Sequence, residues 1–415
     1  MDEYSQRQIR RMRTAFLCGS LEPGRDGVGD YTRRLAGELI RQGHPCMAVA
    51  LNDSHISQIL SESQEIEGTS IPVLRLPGAM PWKQRITESL NRAGAFNPDW
   101  MSLQFVPFGF HPKGLCYGLG RHLAAMNPKS SWHIMFHELW LGLGEGAPLK
   151  HRVLGALQRF MIMDLVARLR PSIVHTQTES YRVVLKREKI RASILPLFSN
   201  IPQVDGNGWE SILEPLVTKA AGKHYDRSEL YLAGVLGMVA PEWSAERAVN
   251  TLLPLVQRFQ KRLVLVFYGK SNITSETVNK LKLTLQNRAE IVLAGERPSL
   301  EISRILQALD IGVATTPRQV IQKSGSVAAM LEHGLPVLVT RDDWRLRGPD
   351  APPEESSTQL ISPKEFALLK TLPARNLQPP GDSGVKRVAV QMLAAMNSSP
   401  DHSENFLRAS RLQES

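Results

Sequence analysis

Short apolar runs alternate along the chain with longer segments in which apolar residues recur every three or four positions, and this alternation occurs twice. The short runs have the length of buried strands, and the longer segments have the period of amphipathic helices. A repeated strand and helix order predicts a parallel sheet covered by helices and argues against a β-sandwich. The sequence therefore predicts an α/β protein with two doubly wound, Rossmann-like domains.

The pattern assigns elements in both halves of the chain. In the first half the predicted strands are TAFLCGS, PCMAVAL, DWMSLQF, WHIMFHE and SIVHTQT, and the predicted helices are YTRRLAGELIRQGH, WKQRITESLNRAG, residues 150–169 and SYRVVLKREK. In the second half the predicted strands are YLAGVLGMVA, LVLVFYGK, EIVLAGE, IGVATT and LPVLVTR, and the predicted helices are residues 245–259, 275–287, 299–308 and 326–333.

Residues 203–228 carry two glycines and little periodicity, so we place a linker there. A chain of 415 residues suits two domains. The expected organisation is a basic N-terminal segment at 1–13, an N-terminal domain at 14–202, the linker, a C-terminal domain at 229–380, and a C-terminal helix with a polar tail at 381–415. A Pro-rich acidic loop, PDAPPEESS, interrupts the second domain.

Lys and Arg outnumber Asp and Glu by 50 to 40, which suits anionic partners without choosing among phosphate ligands, nucleic acid and membrane surface. No zinc-knuckle spacing or RNP-type aromatic motif supports nucleic-acid binding, so we expect no nucleic-acid partner.

The three cysteines, Cys18, Cys46 and Cys116, are far apart and odd in number, which predicts buried thiols in a reducing cytosol.

No apolar run has the length of a signal peptide's core or of a transmembrane helix, so we expect a cytoplasmic protein. The N-terminal arginines leave two interpretations open, a solvated terminus or a peripheral contact with anionic lipid at the inner membrane face. They are Arg7, Arg10, Arg11 and Arg13.

Ligands of open parallel sheets bind where the strands end, so the loops that follow the strands are the candidate sites. After the first strand, Gly24, Gly27 and Gly29 permit close approach of a ligand to the backbone, and Asp30 or Thr32 could cap the next helix. The spacing is not that of a dinucleotide fingerprint, and a simple turn is the alternative.

His137 and Glu138 follow the fourth predicted strand in MFHELW. They could perform acid–base chemistry or bind a hydroxyl group. The alternatives are a structural, hydrogen-bonded histidine and a surface carboxylate.

In the second half, Arg247 lies at a helix start and Lys270 at a strand end, where two cations could bracket a pyrophosphate, although a lysine after glycine is commonly a solvated loop residue. A helix that begins near Lys323, Ser324, Gly325 and Ser326 offers unpaired N–H groups, hydroxyls and a positive charge, which together suit a phosphate. An ordinary serine N-cap is the alternative.

In their order along the chain these segments resemble the GT-B glycosyltransferases, in particular the large family of retaining sucrose- and lipopolysaccharide-type enzymes (glycosyltransferase family 4-like). The resemblance covers about residues 14–345. Its segments are LEPGRDGVGDYTRRLAGELIRQGH, MFHELW, HTQTESYRVVLKR, LPLFSNIP, VLGMVAPEWSAERAVNTLLP, VLVFYGK, AEIVLAGERPSLEISRILQALDIGVATT and SVAAMLEHGLPVLV.

One departure from the family is clear. The family usually carries two glutamates eight positions apart around its phosphate-binding loop, and aligning GLPVLV with the family pattern places Ile321 and Ala329 at those positions. Glu332 lies three residues further along and does not align with the second glutamate.

The resemblance implies two domains facing across a cleft and a hexosyltransferase-like enzyme of carbohydrate biosynthesis. It implies that Gly29 and Asp30 line the cleft, that His137 contacts the transferred sugar, and that Arg247, Lys270 and the Ser324–Gly325–Ser326 segment face the donor diphosphate. The donor would be a nucleotide-sugar and the acceptor a polysaccharide or lipid-linked glycan. Because no DxD-type acidic pair follows a strand, we expect neither a metal nor another cofactor. One alternative is a catalytically altered or inactive GT-B homologue that acts as a partner subunit, and another of the same fold is a sugar-nucleotide epimerase.

Overall fold

The computed structural model describes residues 11–126, 129–350, 352, 357–376 and 383–399. These residues form two compact units, each built around its own sheet. Unit 1 contains the described residues up to Gln177, those of Tyr181–Pro196 and those from Val385 onward, and unit 2 contains Thr178–Ser180 and those of Leu197–Gly384. Each unit combines a largely parallel sheet with helices, which confirms the predicted α/β class and its two sheets.

Unit 1 contains an eight-stranded sheet in the order β3-β4-β2-β1-β5-β6-β7-β8. Its strands are β1 Thr14–Cys18, β2 Cys46–Asp53, β3 Leu60–Ile66, β4 Thr69–Pro77, β5 Trp100–Phe105, β6 Ser131–Phe136, β7 Ile173–Thr176 and β8 Ser193–Ile194. The helices of the first half are α1 Gly27–Arg41, α2 Trp82–Phe96, α3 Pro107–Phe110, α4 Leu119–Ala124, α5 Leu149–Leu169 and α6 Glu179–Arg187, whose first two residues belong to unit 2.

The hairpin of β3 and β4 was not predicted from the sequence. These two strands pair antiparallel, and the turn between them places Glu67 and Gly68 at φ 48° and 74°. Strand β3, LSESQEI, lies at the sheet edge and exposes most of its side chains. An edge strand needs little apolar surface, so its composition does not distinguish it from a loop.

Unit 2 contains a six-stranded sheet in the order β11-β10-β9-β12-β13-β14, all of whose pairs are parallel. Its strands are β9 Leu230–Leu236, β10 Arg262–Tyr268, β11 Glu290–Gly295, β12 Ile311–Ala314, β13 Val337–Val339 and β14 Leu360–Ile361. The helices that follow in the chain are α7 Glu214–Ala221, α8 Ala245–Arg258, α9 Ser275–Thr284, α10 Ser299–Ala308, α11 Gly325–Glu332, α12 Pro363–Ala367 and α13 Gly384–Asn397, the last of which lies in unit 1 from Val385 onward.

The segment 203–228, predicted as a linker, is instead folded into unit 2. It forms a π-helix at Trp209–Leu213, helix α7 and a 3-10 turn at Arg227–Glu229. Trp209, Leu213 and Val217 are buried in the same core cluster as residues of β9 and β10. The prediction was wrong because the flanking glycines and the wide π-helical turn hide the apolar spacing.

Other predictions concern the ends of the chain. Arg7 and Arg10 lie outside the described residues, as do most of the Pro-rich acidic loop and the polar tail from residue 400. Arg13 is not a frayed residue, since its guanidinium donates to the Phe96 carbonyl and stacks on the Phe96 ring at 4.8 Å. Within the described part of the chain, every helix is too short or too polar to cross a membrane.

We predict that Leu213→Ala lowers the free energy of unfolding of unit 2 by about 2 to 5 kcal/mol, because it removes a fully buried side chain from the core. Chemical denaturation measures this change. The exposed Ser211→Ala in the same π-helix is the matched control and is expected to change stability by less than about 0.5 kcal/mol. Equal, small effects of both substitutions would mean that the segment is the linker predicted from the sequence.

Candidate functional site in each unit

Both sheets place the predicted site residues at the edge where their strands end. In unit 1 the strand order reverses at β1, which lies between β2 and β5, and in unit 2 it reverses at β9, which lies between β10 and β12. Such reversal points are the usual ligand sites of open parallel sheets. The predicted residues follow β1 and β6 in unit 1, and β9, β10 and β12 in unit 2.

The glycine-rich loop after β1 is closed by two aspartates. Asp26 caps α1, because its Oδ1 accepts the N–H of Gly29 at 2.6 Å. Asp30 lies in the first turn, where its Oδ1 accepts the N–H of Gly24 at 3.0 Å and pairs with Arg33. The helix therefore begins earlier than expected, and the cap predicted at Asp30 or Thr32 was wrong. Burial raises the pKa of the Asp26 carboxyl group.

The glycines of this loop have different roles. A Cβ atom on Gly29 would lie 2.4 Å from the carbonyl oxygen of Ser20, so α1 can approach the end of β1 only because this residue has no side chain. A Cβ atom on Gly27 would meet no atom within 4 Å. Packing therefore requires Gly29, whereas Gly27 leaves space at the loop surface.

His137 is buried just after β6, and both of its ring nitrogens have partners. Its Nε2 donates to Oε1 of Gln104 at 2.9 Å, and Nδ1 accepts from Nε2 of Gln177 at 2.9 Å. The ring of Tyr31 packs edge-on against it at 4.8 Å, which places α1 beside the imidazole. Burial lowers the pKa of His137 to about 3, so the ring is neutral at neutral pH. Glu138 follows it and is partly exposed.

The hydrogen bonds continue from Gln104 into the sheet. Gln104 donates to Oγ of Ser102 at 2.8 Å, Ser102 Oγ shares a hydrogen bond with Nδ1 of His133 at 2.8 Å, and Nε2 of His133 shares one with Nδ1 of His175 at 3.0 Å. Because Oε1 of Gln104 accepts and Nε2 of Gln177 donates, the proton of His137 lies on Nε2. Burial lowers the pKa of His133 well below its usual range and that of His175 to about 4.

Side-chain amides cannot readily pass a proton along such a series. Gln104 and Gln177 therefore separate His137 from proton exchange through the series, and they fix its orientation and tautomer instead. The sequence had indicated His137 alone. The partners at alternate positions of β5, β6 and β7 were the available signal, because side chains two residues apart point to one face of a sheet.

In unit 2, hydroxyl groups gather at the start of α11. Ser324 caps this helix by accepting the N–H of Val327 at 3.4 Å. Its Oγ lies 3.2 Å from the hydroxyl of Thr316 and 3.1 Å from that of Ser326. Gly325 is exposed, and a Cβ atom there would meet nothing within 4 Å. Ser324 is therefore the N-cap of α11, and the exposed Gly325 leaves the helix N-terminus accessible.

The loops at this edge are tied to one another. Lys270 is exposed after β10, and two residues later Asn272 exchanges two hydrogen bonds with the backbone of Val239, at 2.9 and 3.0 Å. Thr315 after β12 donates to the Met238 carbonyl at 3.4 Å. The sequence pattern does not single out Asn272, whose signal is an amide side chain close behind the Gly-Lys pair.

The two arginines Arg247 and Arg341 differ in burial at this edge. Arg247 is exposed and lies 3.4 Å from a carboxylate oxygen of Asp342. Arg341, at the end of β13, is buried and pairs with Asp343 at 2.7 Å and with Glu242 at 3.4 Å. The hydrogen bond with Asp343 raises the pKa of Arg341. Arg341 was missed because the sequence does not show that its side chain turns inward.

The positions of the missing glutamates lie inside the protein. Ile321 and Ala329 are both buried in the core of unit 2. Glu332 lies at the opposite end of α11 from Ser324, and its Oε1 accepts the N–H of Ser199 at 2.8 Å. Glu332 therefore supports the backbone near residue 199 and does not face the N-terminus of the helix.

Among the residues that the structure describes, no group of three or more His, Cys, Asp or Glu side chains is arranged to hold a metal ion. The cysteines are free thiols. Cys18 and Cys46 are buried, whereas Cys116 is partly exposed, and burial raises the pKa of all three.

Solved structures of other proteins share the fold of this chain. The chain is similar to the Anabaena protein Alr3699/HepE in complex with UDP and glucose, at 14% identity over 98% of this chain and 100% of that chain, with a TM-score of 0.51. The HepE complex with UDP is 15% identical over 97% of this chain and 100% of that chain, with a TM-score of 0.51. The HepE complex with UDP-glucose is 14% identical over 95% of this chain and 93% of that chain, with a TM-score of 0.50. The fold is therefore that of the GT-B glycosyltransferases, as the resemblance had implied.

Sequence comparisons add no further relative. No protein-family model matches the chain, and no curated protein matches it.

We predict that acid destabilises unit 1 through its buried histidines. Each folded-state pKa lies below the unfolded value, so the unfolded chain binds more protons and the free energy of unfolding falls as pH decreases below about 6.5. A histidine shifted to about 4, as His175 is, contributes a loss of about 2 kcal/mol by about pH 5. Denaturant unfolding at about pH 6.5 and at about pH 5 measures how the free energy of unfolding depends on pH.

His137→Gln provides the test, with the exposed His55→Gln as its matched control. Removing the buried imidazole should flatten the dependence of stability on pH, whereas removing the exposed one should leave it unchanged. Identical slopes for both variants and the original protein would contradict a neutral, buried His137.

Proposed function

We propose that the protein transfers a sugar from a nucleotide-sugar donor to an acceptor, and that the donor diphosphate binds at the N-terminus of α11. The observation that carries this proposal is the gathering of Ser324, Gly325 and Ser326 at an accessible helix start beside the strand reversal of unit 2. A helix N-terminus with free N–H groups, hydroxyls and the positive end of a dipole suits phosphate oxygens. The HepE structures of the same fold hold UDP or UDP-glucose, which supports a similar donor here.

Lysines complete the proposed diphosphate site. Lys323 immediately precedes the cap of α11, and Lys270 is exposed at the end of β10, next to β9 in the sheet. When the sugar leaves, negative charge develops on the diphosphate, and fixed cations with a helix N-terminus stabilise that charge. We propose that these groups supply the stabilisation that a metal ion provides elsewhere. Arg247 takes a lesser part, because Asp342 offsets its charge.

In unit 1 we propose that Asp30 and Glu138 face the acceptor or the transferred sugar. We propose that His137 fixes the backbone position at the end of β6, where the sugar would bind. His137 is neutral and both of its nitrogens are engaged, which favours a positioning part over proton transfer. Asp30 is partly exposed in the first turn of α1, beside Gly27 and Gly29. The net charge of +10 favours an anionic acceptor, such as an acidic polysaccharide or a lipid-linked glycan.

We predict that Lys270→Ala and Lys323→Ala each weaken binding of UDP by about 10- to 100-fold, since each removes a charged partner of the diphosphate. Isothermal titration calorimetry measures the affinity. Lys280→Ala is the matched control, because Lys280 is exposed on α9 and pairs with Glu276. Unchanged UDP affinity in both test variants would place the diphosphate elsewhere.

A second function has a specific observation in its favour. Ile321 and Ala329 are packed in the core where the resembling family carries glutamates, and the carboxylate of Glu332 holds the Ser199 backbone. A chain with these features could bind a donor without transferring its sugar. We therefore keep as the alternative a homologue with altered or no activity that acts as a partner subunit.

Donor turnover separates the two functions. For a transferase we expect slow hydrolysis of the bound nucleotide-sugar, retained in the presence of a chelator, because a GT-B site can pass the sugar to water when no acceptor is bound. Chromatography of the released nucleoside diphosphate measures the rate, with Lys270→Ala as the impaired reference. Binding of UDP without turnover of any UDP-, GDP-, ADP- or CMP-sugar would favour the partner-subunit function.

A further inference from the structure

Helix α5 has an apolar surface on its solvent side as well as on its core side. Four large apolar side chains recur along it at helical spacing, and all are exposed: Leu149 by 72%, Val153 by 58%, Leu157 by 50% and Phe160 by 72%. At about 100° per residue these four positions fall within a sector of about 80°. We call this surface the α5 stripe.

The opposite side of the same helix faces the core of unit 1. Its buried positions are Gly155, Gln158, Ile162, Leu165 and Leu169. The helix approaches its neighbours closely there, since a Cβ atom on Gly155 would lie 1.9 Å from the carbonyl oxygen of Leu141. The orientation of α5 is therefore fixed, and the α5 stripe cannot rotate inward. Single exposed apolar residues are ordinary, but a continuous apolar stripe marks an interaction surface.

Positive charge borders the α5 stripe on both sides. Lys150 lies along one border, and Arg152 and Arg159 lie along the other, with all three exposed. Arg159 is paired with Glu188 at 2.7 Å, whereas Lys150 and Arg152 lie in a first turn that contains no acidic residue. The helix as a whole carries four Lys or Arg residues and one acidic residue.

We propose that the α5 stripe docks this protein on an anionic membrane surface, with the helix lying in the plane of the headgroups. Leu and Phe side chains on one face with Lys and Arg along its borders are the features of an interfacial helix, in which the apolar side chains enter the acyl boundary and the cations contact lipid phosphates. The stripe spans about 17 Å from Leu149 to Phe160, along the helix and not across a bilayer.

The charge pattern favours lipid over a second copy of the chain. In a symmetric dimer built on this stripe, the bordering cations of the two copies would meet along one seam with few carboxylates between them, and such repulsion is costly. Anionic lipid headgroups complement both borders. The proposal stands independently of sugar transfer, and it concerns a surface other than the N-terminal arginines.

Vesicle flotation tests the proposal. The full-length protein is mixed with vesicles of phosphatidylcholine alone or of phosphatidylcholine with phosphatidylglycerol. We expect binding to the anionic vesicles that weakens as salt is raised, since headgroup contacts are screened. The double variant Leu157→Gln/Phe160→Gln should bind at least about tenfold less, and Lys150→Gln/Arg152→Gln about 30-fold less.

Leu283→Gln/Leu368→Gln is the matched control, because these two side chains are 80% and 82% exposed on other surfaces. It should float like the original protein, and all variants should keep the original melting temperature because the altered side chains are exposed. The proposal is overturned if the original protein does not float with anionic vesicles or if the α5 stripe variants float undiminished. It is also overturned if ultracentrifugation shows a dimer that these variants disperse, since a second copy would then cover the stripe.

Discussion

In a parallel sheet every strand ends at the same edge, and the chain must leave that edge through loops whose backbone groups cannot pair with the sheet. Both units meet this constraint with side chains at the strand reversals. In unit 1 Asp26 and Asp30 hold the loop after β1, and in unit 2 Asn272 and Arg341 tie neighbouring loops together. The candidate ligand groups depend on these ties, because a phosphate or sugar can be bound specifically only by groups whose positions are already fixed.

Unit 1 buries several polar side chains on its central strands, and hydrogen bonds among these side chains compensate for their burial. Uncompensated burial of imidazole or amide groups would cost several kcal/mol, yet hydrogen bonds join these side chains in one series from Gln177 to His175. The hydrogen bonds of His137 require its neutral form, because Nδ1 accepts from Gln177. The fixed positions of His137 and Glu138 at the end of β6 therefore depend on a neutral imidazole at His137.

Sequence pattern was sufficient for the repeated strands and helices because burial on both faces leaves a strong apolar signal. It failed for β3, whose edge position allows a polar composition, and for Trp209–Leu213, where a π-helix breaks the spacing expected of an α-helix. For the candidate site residues, the sequence indicates which loops carry them but not which groups they hydrogen-bond. No pattern reveals that Arg341 turns inward or that Ser199 engages Glu332, because both depend on contacts between residues far apart in sequence.

The most direct test of the account is a crystal structure of the protein with UDP bound. The account predicts the diphosphate at the start of α11, with phosphate oxygens within hydrogen-bond distance of the backbone N–H groups of Gly325 and Ser326 and with Lys270 or Lys323 beside them. Such a result would establish that the helix N-terminus replaces the carboxylate-containing loop of the resembling family. A diphosphate bound anywhere else, with the start of α11 occupied only by water, would contradict the central claim.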